Sequence, residues 1–230
     1  MEGNQILREQ LEYYRARAHE YDEWFLRKGR YDRGPEQRAA WFNEVGEVQA
    51  ALNRELQSGE VLELACGTGL WTQHLARLHS RVVAVDASPE VIEINRQRVR
   101  SDAVEYVVAD LFGWQSDTRF DAVFFGFWLS HVPQNEFVGF WAKVGASLKP
   151  KGRVFFVDSL LDQASTARDH APLDQSGVVQ RRLNDGREYS IVKVFYEPAD
   201  LERRLVSLGW RGWVRSSGQF FLYGSLSTAG

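Results

Sequence analysis

Three carboxylates and a pair of glycines carry the chemistry that this sequence can do. Glu63 precedes Gly67 and Gly69 in ELACGTG (63–69), Asp86 closes the apolar run VVAVD (82–86), and Asp110 follows VEYVV in ADLF (109–112). Gly67 and Gly69 follow an apolar run directly, so a ligand can approach the backbone with no Cβ in the way. A helix beginning near Leu70 offers the unpaired N–H groups of its first turn. A pyrophosphate suits such a turn, and a dinucleotide fingerprint reads it so. Here, however, the third small position holds Thr72, and the anionic Glu63 beside the turn repels a phosphate while attracting a cation. Asp86 can accept two ribose hydroxyls, and Asp110 the exocyclic amine of an adenine. A cationic amino-acid end, a ribose and an adenine together describe S-adenosylmethionine better than NAD.

These carboxylates need strand ends to hold them. The runs 61–65, 82–86, 104–110, 120–127 and 153–158 are apolar on both faces, as covered parallel strands are. Helical patterns separate them: Ser88-Pro89 supplies an N-cap and first-turn proline for one, and KPKG (149–152) is expected to end another. The alternation predicts an α/β, Rossmann-like, doubly wound sheet of seven strands, mostly parallel and finished by an antiparallel hairpin through Ser217-Gly218. A separate hairpin is expected near 178–196 around Asn184-Asp185-Gly186. Residues 5–28 carry a continuous apolar stripe at helical spacing, GRYDRG (29–34) breaks it, and Pro35 opens a second helix that Ser58-Gly59 stops. Residues 1–58 are therefore expected to form a helical cap or lid, and 59–230 the ligand-binding core.

With these motifs in place, the sequence resembles the class I S-adenosylmethionine-dependent methyltransferases. The resemblance rests on ELACGTG, VDAS (85–88), ADLF and the order of elements through residue 226. It implies that Glu63, Ala65, Gly67 and Gly69 surround the methionine moiety, that Asp86 and Ala87 meet the ribose, and that Asp110 and Leu111 meet the adenine. It also places the end of the fourth strand, FWLSHVP (127–133), beside the transferred methyl group. Phe127 and Trp128 are then candidate wall residues, with core packing the competing role.

His131 is the candidate general base, because imidazole titrates nearest neutrality; its plainer reading is a hydrogen bond to the backbone before Pro133. Tyr14 and Tyr21, seven residues apart, share one side of the expected helix and are candidates to close over the methionine end, unless they only pack it. The acceptor is expected to be a small molecule with an oxygen, nitrogen or sulfur nucleophile, and the aromatic content hints at an apolar or aromatic one. S-adenosylhomocysteine is the expected product of the cofactor. A binding or scaffolding protein without turnover, and an NAD(P)-dependent oxidoreductase, are the competing readings.

Composition narrows the classes further. The chain of 230 residues is 44% hydrophobic and 26% charged, with a formal net charge of −3. That balance lacks the basic excess of nucleic-acid binders. No apolar run is long enough to span a membrane, and the charged N-terminal stretch does not read as a secretory signal. One cysteine, Cys66, fits a cytoplasmic protein. The five histidines show no zinc-type spacing, so no metal is expected. Arg181-Arg182 and Arg203-Arg204 read as solvated charged pairs.

Overall fold

A computed structural model describes residues 2–57, 59–173 and 176–228. In chain order its elements are α1 (Glu2–Arg17), α2 (Tyr21–Phe25), α3 (Pro35–Glu55), β1 (Glu60–Leu64), α4 (Thr72–Leu78), β2 (Arg81–Asp86), α5 (Pro89–Val99), β3 (Val104–Val108), β4 (Phe120–Gly126), α6 (Phe137–Ala146), β5 (Leu148–Ser159), β6 (Gly177–Arg182), β7 (Glu188–Lys193), α7 (Pro198–Ser207), β8 (Trp210–Ser216) and β9 (Phe221–Thr228). Seven strands form one sheet in the order β3-β2-β1-β4-β5-β9-β8. The first five are parallel, and β9 runs antiparallel between β5 and β8. The expected Rossmann-like mixed sheet is the one observed.

Alternation along the central strands explains why both faces are covered. Val123 and Phe125 of β4 and Val154 and Phe156 of β5 point into one core with Phe137, Phe140 and Trp141 of α6 and Leu201 and Leu205 of α7. Phe124 and Phe155 point the other way, into a core built with Trp41, Val45, Val48 and Leu52 of α3, Leu75 of α4 and Ile92 of α5. Successive Cβ atoms of a strand face opposite sides, so each phenylalanine pair feeds two layers. The apolar stripe of α3 thus covers the sheet. Leu7, Leu11, Tyr14 and Tyr21, from the helices before Pro35, line a chamber at the strand ends instead. Ser58, expected to help stop α3, lies outside the described residues.

The long first helix is broken. Residues 18–20 turn between α1 and α2, held by hydrogen bonds from Ala18 N to Arg15 O and from Glu20 N to Arg17 O. One apolar stripe cannot serve two cores on a straight axis. Tyr13 packs with Val179, Leu183 and Ile191 of the β6–β7 hairpin, whereas Phe25 joins the core under α3. The second difference lies at KPKG: α6 ends at Ala146, and 149–152 already belong to β5, whose pairing with β4 shifts register between Phe120 and Ala122. The hairpin expected near 178–196 is present as β6–β7, a separate two-stranded sheet.

The segment before Pro35 is tied down at many points. Asp22 accepts from the Thr68 hydroxyl at 2.6 Å and pairs with Arg98 of α5. Gln10 bridges His131 O and Val192 N, and Trp24 Nε1 donates to Ser165 O at 2.7 Å. No helix among the described residues is long and apolar enough to cross a membrane.

Candidate active site

The carboxyl ends of β1, β2 and β4 meet below α1 and α2, where such sheets leave a crevice for ligands. At the end of β1 the chain passes through Ala65 (φ 53°), Gly67 (φ 55°) and Gly69 (φ 90°), and at the end of β4 through Phe127 (φ 58°). Left-handed backbone at non-glycine residues is costly and gathers where function holds it. A Cβ on Gly69 would stand 2.5 Å from Asn95 Oδ1, so that position admits only glycine. Buried Asn95 braces the turn by donating from Nδ2 to Gly67 O at 3.0 Å and to Thr72 Oγ1 at 2.8 Å. Sequence reasoning missed this residue, because nothing local marks a helix asparagine as the support of a distant turn.

Three chambers with shared lining residues adjoin this point. The largest, ≈ 410 Å³, is lined by Ala65, Gly67, Asp86, Ala87, Asp110 and Leu111 on the sheet side and by Leu7, Leu11, Tyr14 and Tyr21 from the helices above. Asp86 accepts from Gly67 N and from Ser88 N, both at 3.0 Å, so its carboxylate ties the ends of β1 and β2 together. Burial raises its pKa, and those backbone hydrogen bonds oppose the rise. Asp110 is exposed at the mouth and accepts from Phe112 N at 3.1 Å. The Trp128 ring lies 5.5 Å from that of Phe112.

A small chamber of ≈ 20 Å³ adjoins the first and is lined by Glu63, Ala65, Gly67, Trp71, Tyr21 and Phe127. Glu63 is 1% exposed, and its Oε2 has no hydrogen-bond partner. Burial pushes its pKa up to about 8, against a lowering hydrogen bond from Thr72 and with a further push from Asp86. A buried acceptor without a partner is costly. An arriving ammonium group would satisfy it and hold it ionised.

The third chamber, ≈ 50 Å³, lies on the far side of a wall made by Tyr14, Tyr21, Phe127 and His131. One water needs ~10–15 Å³ on the same measure, so this space suits a head group of a few heavy atoms. Its lining includes Arg17, Arg181 and Lys193, and no carboxylate among the described residues. Arg17, 8% exposed, stacks over Tyr21 at 4.9 Å and donates to Tyr31 Oη at 3.4 Å. Arg181 donates at 3.4 Å to the carbonyl of its own neighbour, Gln180. Lys193, also 8% exposed, donates to Ser130 Oγ at 2.8 Å and lies 3.6 Å from Asp158. Burial drives its pKa down to about 8, with Asp158 opposing.

Two expectations change here. Arg181 is half-buried and faces the chamber, whereas its neighbour Arg182 is exposed; the pair is not a solvated face. His131, expected as a general base, has both ring nitrogens engaged. Nδ1 lies 2.7 Å from Val192 O, which can only accept, so Nδ1 carries the proton. Nε2 therefore accepts from the Tyr14 hydroxyl, 2.7 Å away. Burial, with the charges of Lys193, Arg181 and Arg17, holds the imidazole well below its ordinary pKa. Nothing in that arrangement favours drawing a proton from the chamber.

The sheet order, the glycine turn and the carboxylates find their match among known proteins. A family model described as a methyltransferase domain matches residues 61–152. A ubiquinone biosynthesis O-methyltransferase of Xanthomonas oryzae pv. oryzae is 30% identical over 174 residues, 73% of this chain and 69% of that protein. The solved complex of DhpI with SAM and HEP is 39% identical, covers 96% of this chain and 97% of that one, and superposes with a TM-score of 0.78. The chain belongs to the class I S-adenosylmethionine-dependent methyltransferases. The mitochondrial ubiquinone biosynthesis O-methyltransferase of Schizosaccharomyces pombe is 35% identical over 100 residues, and the chain spans 36% of its length. S-adenosylmethionine is thus the cofactor of this methyltransferase, and the oxidoreductase reading falls away. The residues present fit it, since an orphaned buried carboxylate and a glycine cradle stand where its cationic end would lie.

Proposed function

We propose that this methyltransferase acts on a small acidic molecule, methylating an oxygen of its anionic group. The observation that supports this is the convergence of Arg17, Arg181 and Lys193 on a small chamber that shares a wall with the cofactor chamber. Buried Arg17 and Lys193 and half-buried Arg181, in a chamber whose described lining holds no carboxylate and with Asp158 3.6 Å from Lys193, leave positive charge in a poorly screened place that an anion offsets. The relatives named as O-methyltransferases support oxygen as the nucleophile.

In this reading Glu63, Ala65, Gly67 and Gly69 hold the methionine end, Asp86 and Ala87 the ribose, and Asp110 and Leu111 the adenine. When bound, S-adenosylmethionine supplies a sulfonium methyl group, which passes to the acceptor oxygen while its bonding pair returns to sulfur. An ionised oxygen has no proton to lose, so the chain needs no base. Its work is alignment: Arg17, Arg181 and Lys193 fix the anion, while Tyr14, Tyr21 and Phe127 form the wall through which the two chambers communicate. Holding reactants in register accounts for roughly 7–11 kcal/mol in well-oriented cases. Residues 2–34 act as the lid, with Tyr14 and Tyr21 standing in the wall between the two chambers. Cytoplasmic placement is the reading consistent with a single buried cysteine.

The test is the consumption of methyl-labelled cofactor with matched acceptors, each small acid beside its neutral amide or alcohol. Methyl ester formation on acids alone is the expected result. Transfer to neutral phenols or amines would contradict the reading, and no transfer to any of them would favour the binding or scaffolding alternative.

A further inference from the structure

We infer that Tyr14 and His131 select the protonation form of the acceptor: Tyr14 Oη takes a hydrogen bond from an oxyanion that still carries one proton. This rests on the oxyanion reading above and deepens it. The bonding sequence begins at the backbone. Val192 O accepts from His131 Nδ1, which leaves Nε2 as a lone pair, and the Tyr14 hydroxyl must donate its proton to that lone pair. The edge-on packing of the two rings, with centroids 5.3 Å apart, holds the pair in place.

Tyr14 is therefore acceptor-only toward the cavities, and it stands in the wall between the cofactor and acceptor chambers. The cationic side chains opposite it, Arg17, Arg181 and Lys193, are donor-only. An oxyanion bound among them turns bare oxygens to the cations and keeps one, the nucleophile, toward Phe127 in the shared wall. Its remaining O–H then meets Tyr14 Oη. A fully deprotonated anion of the same shape sets one lone pair against another at that point. Sites that hydrogen-bond a ligand hydroxyl reject analogues lacking it far more strongly than apolar pockets reject a missing methylene. His131 acts here through Tyr14 and is a positioning residue; Tyr14 touches the acceptor.

The bridge between Tyr14 and His131 stays intact at mildly alkaline pH, where Lys193 gives up its proton at about 8. Tyr13, Arg17 and Tyr21 face Tyr14 from α1 and α2, Arg181 from β6, His131 from the turn after β4, and Lys193 from β7. Burial, with Tyr13 adding to it, keeps the Tyr14 phenol well above its ordinary pKa, so its proton stays on the bridge to His131.

Hydrogen phosphate and sulfate make the decisive pair of probes. At pH 8 both are tetrahedral dianions of nearly equal size, and only phosphate retains an O–H. Their affinities are to be measured calorimetrically on the full chain saturated with S-adenosylhomocysteine. Lys193 titrates identically for both, so its charge cancels in the ratio. Phosphate is expected to bind on the order of 100-fold more tightly than sulfate. In Tyr14→Phe the two should bind within about threefold of each other, because the cations remain. In His131→Asn, which frees the Tyr14 proton to donate, sulfate should gain on phosphate.

Equal wild-type affinities, or an unchanged preference in Tyr14→Phe, would overturn the inference. If Tyr14→Phe does not fold, His131→Asn decides by the same ratio, and an unchanged ratio there overturns it too. Failure of the wild type to bind either anion would instead remove the oxyanion reading, and this inference with it.

Discussion

Arg181→Met should give a protein that melts at higher temperature and no longer holds its acceptor. Arg181 shares a small chamber with Arg17 and Lys193, and no carboxylate among the described residues lines it. Removing one of three mutually repelling cations relieves the free protein, and a methionine of similar length fills the space against Ile191 and Leu173. The same change takes a charge-assisted partner from the anion. Losing one member of a buried charged pair costs about 2–5 kcal/mol, or roughly 30-fold to a few thousand-fold in acceptor affinity. The affinity for S-adenosylhomocysteine should stay as it is, because Arg181 does not line the cofactor chambers.

Stability and acceptor binding should thus move in opposite directions, as expected where a site is strained for its ligand. Differential scanning calorimetry and acceptor KM measure the two halves. A variant that is less stable and unimpaired would show that Arg181 serves packing alone. Anion affinity should also decline as pH rises through about 8, where Lys193 in the empty site gives up its proton. The sign follows from its lowered pKa, since the cationic form is the one that binds and it is lost on the alkaline side.

Asp86→Ala is expected to act on the cofactor instead. Its carboxylate already accepts from two backbone N–H groups, Gly67 and Ser88, that join the ends of β1 and β2. The substitution therefore leaves two donors without a partner and deprives the ribose of its acceptor at once. Hydrogen bonds to charged groups contribute about 1.5–3 kcal/mol each. Loss of the ribose contact alone implies a Kd for S-adenosylhomocysteine raised roughly 10- to 150-fold. The turn distorts as well, so the melting temperature should fall, in contrast to Arg181→Met. Titration calorimetry on the purified variant checks this, and an unchanged Kd would place the ribose elsewhere.

The two halves of the site differ in how readily the sequence discloses them, and the cause is chain locality. ELACGTG, VDAS and ADLF are each a strand end followed at once by its turn, so the residues that line the cofactor chamber sit beside the pattern that positions them. The sheet order follows from the same alternation of apolar runs and helical segments. The chamber proposed for the acceptor is assembled from α1, α2, Tyr31, the turn after β4, residues of the 159–173 segment and the β6–β7 hairpin, and no local pattern joins these.

One signal was nevertheless present. Val179 and Arg181 alternate along β6 and Leu183 continues the alternation just past its end, as Tyr189, Ile191 and Lys193 do along β7. A period of two puts Arg181 on the face of buried Val179 and Leu183, and Lys193 on that of buried Ile191. Reading Arg181-Arg182 as a pair hid this, because neighbours on a strand face opposite ways. Arg17 was hidden differently: the apolar stripe runs on through the bend at 18–20, so nothing marked the point where the helix turns and a guanidinium fills the corner against Tyr13, Tyr21 and Tyr31.

Diffraction from crystals of this methyltransferase grown with S-adenosylhomocysteine and phosphate puts the central claim to the most direct test. The account predicts adenosine between Asp86 and Asp110, the amino group at Glu63 Oε2, and the phosphate among Arg17, Arg181 and Lys193. Its O–H should face Tyr14, and the cofactor sulfur should lie across the wall that Tyr14 and Phe127 share. Phosphate found only at the surface, or adenosine bound away from those two carboxylates, would contradict it.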